Sequence, residues 1–274
     1  MDAEKTIRGS VDRRDVLLGT AAFVGAILAG NAPSRSAAAP AGAPNIVYII
    51  ADDIGWKDVG FHGSDIRTPN LDKLAASGSE LEEFYTQPLC TPTRSAFLTG
   101  RYPFRYGLQT GVIPSGASYG LPTEEWLLPQ ALKEAGYSTA LVGKWHLGHG
   151  KREYWPLQRG FDSFYGPLVG EIDHFEHTAH GALDWYRGND ILKEPGYDTT
   201  LFGEEAVRVI EAHEPGKPLF LYLAFTAAHT PYQAPQSYLD LYSDIEDPAR
   251  RAYAAQITAM DDQIGKVVEA LENK

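Results

Sequence analysis

Leu219-Phe-Leu-Tyr-Leu-Ala-Phe225 is a run of seven apolar and aromatic residues without a charged or turn-forming interruption. A strand with one face in water alternates apolar and polar residues, whereas a strand covered on both faces does not. The run therefore reads as a buried strand of a parallel sheet. Asn45-Ile-Val-Tyr-Ile-Ile50 has the same character and is rich in β-branched residues, which suit a pleated, packed surface. Ser138 to Val142, between these two in the chain, is a further, shorter strand. Helical patterns lie between them. In Thr68–Ser77, Thr68 is the expected cap, Pro69 the first helical residue and Gly78 the stop, with Leu71 and Leu74 on one face. Thr123–Ala135, Thr200–Ala212 and about Asp247–Leu271 read as further helices, and Pro92 can open another that runs to Gly100. Strands and helices in alternation predict an α/β fold, a mainly parallel sheet sandwiched by helices. The stretches 100–122 and 150–198 show no clear periodicity and are rich in Gly, His and aromatic residues. Loops of that length in a compact domain are usually functional.

The chain has 274 residues, a single cysteine and a formal net charge of −12. One cysteine excludes an internal disulfide framework and Cys-rich zinc sites. The acidity argues against a protein that works by neutralising phosphate backbones, so no nucleic-acid partner is expected. Residues 1–43 read as an export signal and linker. Arg13-Arg14 precede a short apolar run, Val16–Gly30, and an Ala-, Pro- and Ser-rich exit with an Ala-x-Ala site ending at Ala39. The paired arginines resemble a twin-arginine signal, although the usual Phe and trailing Lys are absent; a plain secretory signal is the alternative. The run is too short and too rich in Gly and Ala for a stable membrane span. A periplasmic or secreted protein is expected, with residues 44–274 as the folded part.

The chemistry-bearing residues cluster where the strands stop, the edge at which open α/β sheets bind ligands. Asp52-Asp53 follow the first strand. Adjacent carboxylates suit a hard cation such as Ca²⁺ or Mg²⁺, or one of them is simply a helix cap. Lys144 and His146 follow the second strand. Two residues apart in an extended segment, they share a side and suit an anionic substrate, the bland alternative being a surface turn. His229 follows the third strand and is either a general acid or base or a satisfied core histidine. Cys90 lies at the N-terminus of the helix that Pro92 would open, where the positive end stabilises electron-rich groups, and Arg94 lies one turn along; a buried, inert thiol is the alternative. His174, His177 and His180 have helical spacing that imitates a zinc site, but the segment lacks helix signals and reads as a substrate-facing or solvated loop. Trp155, Tyr165, Trp185 and Tyr186 nearby read as local packing, with sugar stacking the alternative.

Cys90-Thr-Pro-Thr-Arg94-Ser-Ala-Phe-Leu-Thr-Gly100-Arg101 resembles the signature of the sulfatase family, within the alkaline-phosphatase-like superfamily. Asn45–Asp53, Gly143-Lys144-Trp145-His146-Leu-Gly148 and Ala228-His229-Thr-Pro reinforce it in order, as do Thr68-Pro-Asn-Leu-Asp72 and Arg159-Gly-Phe-Asp162. Among sulfatases these segments resemble the arylsulfatase B type most, and the resemblance covers the chain from about residue 44. It implies that Cys90 is converted by a formylglycine-generating enzyme to 3-oxoalanine (formylglycine). The hydrated aldehyde attacks sulfur and also touches a calcium ion held by Asp52 and Asp53. Arg94 would steady that group, Lys144 would hold a sulfate oxygen, His146 would help the hydrate expel sulfate and His229 would lie beside the bridging oxygen. A serine lacks the second hydroxyl that lets the adduct collapse without separate hydrolysis. The implied reaction is hydrolysis of aryl or sugar sulfate esters. A phosphate or phosphonate monoester hydrolase of the same superfamily is the alternative enzyme, and a fragment that only binds sulfated ligands is the non-enzymatic one.

The resemblance also implies that the chain is an N-terminal portion, ending before a strand that carries an Asp-Asn pair and before a smaller C-terminal domain. Two Asp ligands plus residue 90 fall short of calcium's usual six to eight oxygens unless water contributes. The sheet would then have an exposed edge. Asp261-Asp262 lie inside the last helix and read as surface carboxylates.

Overall fold

The computed structural model describes residues 42–274. The export segment read in residues 1–43 therefore lies, but for its last two residues, outside the described part. Eight strands form: β1 (Ile46–Ile50), β2 (Ser138–Gly143), β3 (Ser163–Gly166), β4 (Thr178–Ala179), β5 (Ala182–Leu183), β6 (Tyr186–Arg187), β7 (Asp190–Ile191) and β8 (Leu219–Ala224). Six of them make one sheet in the order β1-β8-β2-β3-β6-β7. The pairs β1–β8, β8–β2 and β2–β3 are parallel, and β6 and β7 extend the sheet antiparallel. The expected mainly parallel α/β sheet is present.

Its middle explains the opening run of the sequence. β8 lies between β1 and β2, and all six of its residues are buried. Leu219, Leu221 and Leu223 face one core, with Phe202, Ala206 and Ile210 of α4 (Asp198–Ala212) and Met260, Ile264 and Val267 of α6 (Pro248–Glu272). Phe220, Tyr222 and Ala224 face the other, with Leu98 of α2 (Cys90–Thr99), Trp145 and Phe161. Each fully buried Leu contributes about 2 kcal/mol, so this strand binds both layers together. β1 lies at one edge of the sheet, paired on one side among the described residues, and its five residues are only half-buried. No helix among the described residues is long and apolar enough to cross a membrane.

Several elements differ from expectation. The stretch 150–198 is not simply a loop, for it supplies β3 and the hairpins β4–β5 and β6–β7. Strands of two to four residues are too short for a period to show. α3 spans only Leu128–Glu134. Pro129 lacks an N–H and fits only the first turn, so the helix starts there and not at Thr123. α1 (Pro69–Ser77) has the expected bounds, but Thr68 does not cap it. The Thr68 hydroxyl accepts from Gly60 N at 2.7 Å and donates to Asp72 Oδ1 at 3.0 Å.

The cap comes from across the fold and corrects the reading of Asp261 as a surface carboxylate. Asp261 is fully buried and accepts from Asn70 N at 3.1 Å, Asn70 Nδ2 at 2.9 Å and Leu71 N at 2.8 Å. It thus satisfies the orphan amides of the α1 N-terminus from the flank of α6. Asp262 is exposed and meets only the Tyr238 hydroxyl, at 2.9 Å. Asp261→Ala is expected to lower the unfolding free energy by about 1–2 kcal/mol. Asp262→Ala should stay within about 0.5 kcal/mol of the parent. Denaturant titration of both variants checks this, and equal losses would contradict the remote cap.

Candidate active site

Backbone bonds lock three strand exits together. Asp52 N donates to Ala227 O at 2.8 Å, Ala228 N to Asp52 O at 2.6 Å and Lys144 N to Ala224 O at 2.8 Å. The crossing at β2 requires a glycine, because Gly143 has φ +109° and a Cβ there would lie 1.9 Å from Ala224 O. The segments Asp52-Asp53, Lys144–His146 and Thr226–His229 therefore leave the sheet side by side.

Asp52 is the centre of this arrangement. Its Oδ2 is ion-paired with Lys144 Nζ, and both groups are buried. Its Oδ1 lies 3.5 Å from Arg94 Nη2 and accepts from Cys90 Sγ at 3.3 Å. Burial works against the charged carboxylate, but Lys144 and Arg94 outweigh it and hold Asp52 well below the usual carboxylate range. Cys90 is the first residue of α2, as expected, and Lys144 Nζ lies 3.5 Å from its sulfur. Burial nevertheless pushes the thiol up, with the Lys144 and Arg94 charges as partial offset. Arg94 is buried, and its Nη1 donates to Lys144 O at 3.0 Å while Nε and Nη2 have no hydrogen-bond partner among the described residues. Asp52, Cys90, Arg94, Asp53, Thr93 and Gln87 help to line a 360 Å³ cavity. Unsatisfied guanidinium donors beside it are a place for an anion.

His146 is held from below. Its Nε2 donates to Ile113 O at 3.1 Å, while the buried Nδ1 has no hydrogen-bond partner among the described residues. Burial, then Lys144 and Arg94, depress it well below the ordinary histidine range, so the ring is neutral with an unpaired acceptor at Nδ1. Two supports escaped the sequence reading. Thr91 Oγ1 donates to His146 O at 3.0 Å and accepts from Ile113 N at 3.1 Å. Gly170 leaves room for the imidazole, since a Cβ there would sit 2.0 Å from the ring. Close approach of this kind has no local sequence signal.

His229 is partly exposed at the rim. Its Nδ1 donates to Thr230 O at 2.8 Å, which leaves Nε2 facing Asp53 Oδ2 at 3.6 Å. Asp53 turns outward, with its side chain 61% exposed and φ +55°. Among the described residues, the group able to hold a metal ion is therefore Asp52, Cys90 and His229, whose ligand atoms lie within 4.8 Å of one another. Asp53 stands beside this group and not in it. The carboxylates of Asp52 and Asp53 suit a hard cation, and an oxygen in place of the Cys90 sulfur would suit it better than the thiol does.

The His174–His180 segment corrects an expectation. His174 and His177 are buried, and only His180 is exposed. His174 Nδ1 donates to Asp198 Oδ2 at 2.8 Å, and His177 stacks on Trp185 with ring centroids 4.1 Å apart. This is neither a solvated loop nor a zinc site. Trp185 and Tyr165 are core residues, as read.

The family model described as Sulfatase matches residues 44–274. Mouse arylsulfatase J is 43% identical over 237 residues, covering 84% of this chain and 40% of that protein. Mouse N-acetylgalactosamine-6-sulfatase is 36% identical over 252 residues, covering 84% of this chain and 47% of its own length. The crystal structure of Ps i-CgsB in complex with k-i-k-neocarrahexaose superposes with a TM-score of 0.78 at 37% identity, over 84% of this chain and 55% of that one. The chain thus spans about half the length of the proteins it matches. The arylsulfatase B likeness is only approximate, since arylsulfatase J and an N-acetylgalactosamine-6-sulfatase are among these relatives. With the Cys90–Arg101 signature folded against Asp52 and Lys144, and with this match across residues 44–274, the chain belongs to the sulfatase family.

Proposed function

We propose that the protein of which this chain is part hydrolyses sulfate esters, with Cys90 converted to formylglycine and a calcium ion beside it. The observation that carries the reading is the placement of Cys90 at the start of α2, in contact with both Lys144 Nζ and Asp52 Oδ1. Family membership and the saccharide-bound neighbour support sulfated sugars as a substrate class, with aryl sulfates as simpler analogues. Asp52 and residue 90 would hold the calcium ion, with Asp53 joining them by a turn of its exposed side chain, and the ion would add positive charge against the sulfuryl oxygens. Maturation requires a formylglycine-generating enzyme as partner, and the export signal read in residues 1–43 directs the product to the periplasm or outside the cell.

Formylglycine at position 90 would supply a hydrated aldehyde, one hydroxyl to attack sulfur and a second that allows sulfate to leave. The remaining work belongs to the chain's own side chains. Lys144 presents its ammonium where a sulfuryl oxygen beside residue 90 would lie. Arg94 fixes the Lys144 backbone and directs unsatisfied donors at the same region. These cations offset charge on the sulfuryl group in a largely dry site, where such stabilisation is strongest. Neutral His146, with its free Nδ1, accepts a proton from residue 90. His229 offers Nε2 at the rim; when both ring nitrogens carry a proton, Nδ1–H stays on Thr230 O and the Nε2 proton can pass to the departing alcohol oxygen.

Three outcomes check this reading. Cys90→Ala should cut turnover of an aryl sulfate by about 10³-fold or more while leaving thermal unfolding close to that of the parent. Protein made with a maturation enzyme should carry an aldehyde on the Cys90 peptide by mass spectrometry, and active protein with only free thiol there would defeat the formylglycine assignment. Aryl sulfate should be turned over faster than the matching aryl phosphate; the reverse order would favour a phosphate or phosphonate monoester hydrolase. Because the folded-state pKa of His146 is depressed, its ring should stay neutral above that value. Its NMR signals should then hold constant between about pH 6 and pH 8, whereas a titration near 6.5 would contradict the buried geometry.

A further inference from the structure

The buried histidine that the reaction does not use touches one that it does. His174 and Asp198 are 1% and 0% exposed, and Gln256 on α6 is 0% exposed. Asp198 Oδ2 accepts from His174 Nδ1 at 2.8 Å and from Thr226 Oγ1 at 2.5 Å. Asp198 Oδ1 accepts from Thr199 N at 2.5 Å. These bonds fix the His174 ring with Nε2 pointing at the peptide of His229. The His229 carbonyl lies 3.2 Å from His174 Nε2 and 3.3 Å from Gln256 Nε2, and Gln256 Nε2 lies 3.0 Å from His174 Nε2. When His174 carries one ring proton, Gln256 donates both to His174 and to the His229 carbonyl; when it carries two, His174 donates to that carbonyl itself. The carbonyl is held in either state. The preceding peptide is held from the other side, since His229 N donates to Thr226 O at 2.9 Å. Thr226 is in turn bonded to Asp198, so both ends of the turn refer to one buried carboxylate.

We propose that Asp198, His174 and Gln256 form a buried positioning network that sets the place of the His229 ring at the site, a role that rests on the reaction assigned above. The argument is one of reach. The His229 ring is partly exposed, and its Nδ1 contacts, Thr230 O at 2.8 Å and Thr230 Oγ1 at 3.3 Å, are to the next residue of the same turn, while Nε2 lies 3.6 Å from the exposed Asp53 carboxylate. Among the described residues, the core therefore grips His229 through its backbone. A ring at the rim that must meet one oxygen of a substrate gains its precision from that grip. α4, α6 and the segment carrying His174 each supply one member. A change in how these elements pack would thus be transmitted to the ring.

The test uses the chain with isotope-labelled histidine, with the His229 ring signals assigned by their loss in His229→Asn. Gln256→Met keeps the volume and removes the donor, Asp198→Asn keeps the shape and removes the charge, and Glu205→Gln serves as a control away from the site. We expect the His229 ring signals to move in the first two variants beyond the spread of the control. We also expect kcat for an aryl sulfate to fall by up to about 10²-fold with little change in KM. The proposal is overturned if Gln256→Met folds with parent-like ring signals and parent-like kcat, or if it only lowers thermal stability. If Asp198→Asn does not fold, Gln256→Met decides alone. If the parent chain turns over no sulfate ester, the reaction assignment suffers and the ring signals still decide the network.

Discussion

The carboxylate of Asp52 is buried between two cations, and the site is organised around that fact. An unpaired charge at this depth would cost several kcal/mol, so Asp52, Lys144 and Arg94 must be placed together or not at all. They come from three different elements, the exits of β1 and β2 and the first turns of α2. Their pairing therefore sets where those elements end. Cys90 lies against the same carboxylate, so its place is tied to the same electrostatic constraint of the fold. The arrangement is poised, not relaxed. Arg94 keeps buried donors without partners, and His146 keeps a buried acceptor free. Such groups are costly in a resting core and are expected at a site that an anion and a proton will visit.

β8 is the mechanical counterpart of this electrostatic centre. Its alternate side chains enter two cores, so the helices on both faces are referred to one strand. The chain then leaves β8 directly for the His229 turn. The backbone bonds from Ala224, Ala227 and Ala228 to the neighbouring exits hold that turn against Asp52 and Lys144. The buried histidine network beneath the turn adds a second attachment, from α4 and α6, to a residue whose ring lies at the rim. Rigid support beneath an accessible side chain is what precise proton transfer requires.

Outside the described residues stands the segment read as an export signal, and the matched relatives are about twice as long as the aligned part. Among the described residues the β1 edge of the sheet is unpaired, and Asp52, Cys90 and His229 beside it could offer three ligands to a metal ion. The chemistry assigned to position 90 concerns the protein as a whole, while the geometry belongs to these residues.

The amino-acid sequence by itself determined the kind of fold and which polar residues stand at the strand exits. An uninterrupted apolar run marks a two-sided strand, as Leu219–Phe225 does, and the information lies within a few residues. The Cys90–Arg101 segment and the polar residues at the strand exits were legible for the same reason: each is a local pattern. The tertiary structure decided the rest, because those decisions are made by partners distant in the chain. Asp261 looked like a surface carboxylate and became the cap of a helix 191 residues earlier. His174 looked solvated and became a buried support, through Asp198 and Gln256. Asp53, adjacent to Asp52 in sequence, takes a left-handed backbone and an exposed side chain near His229, while Asp52 is buried between cations. β3 and the short hairpins carried too few residues for any period to show. Local windows encode which residues want burial or charge; only packing decides which of them meet.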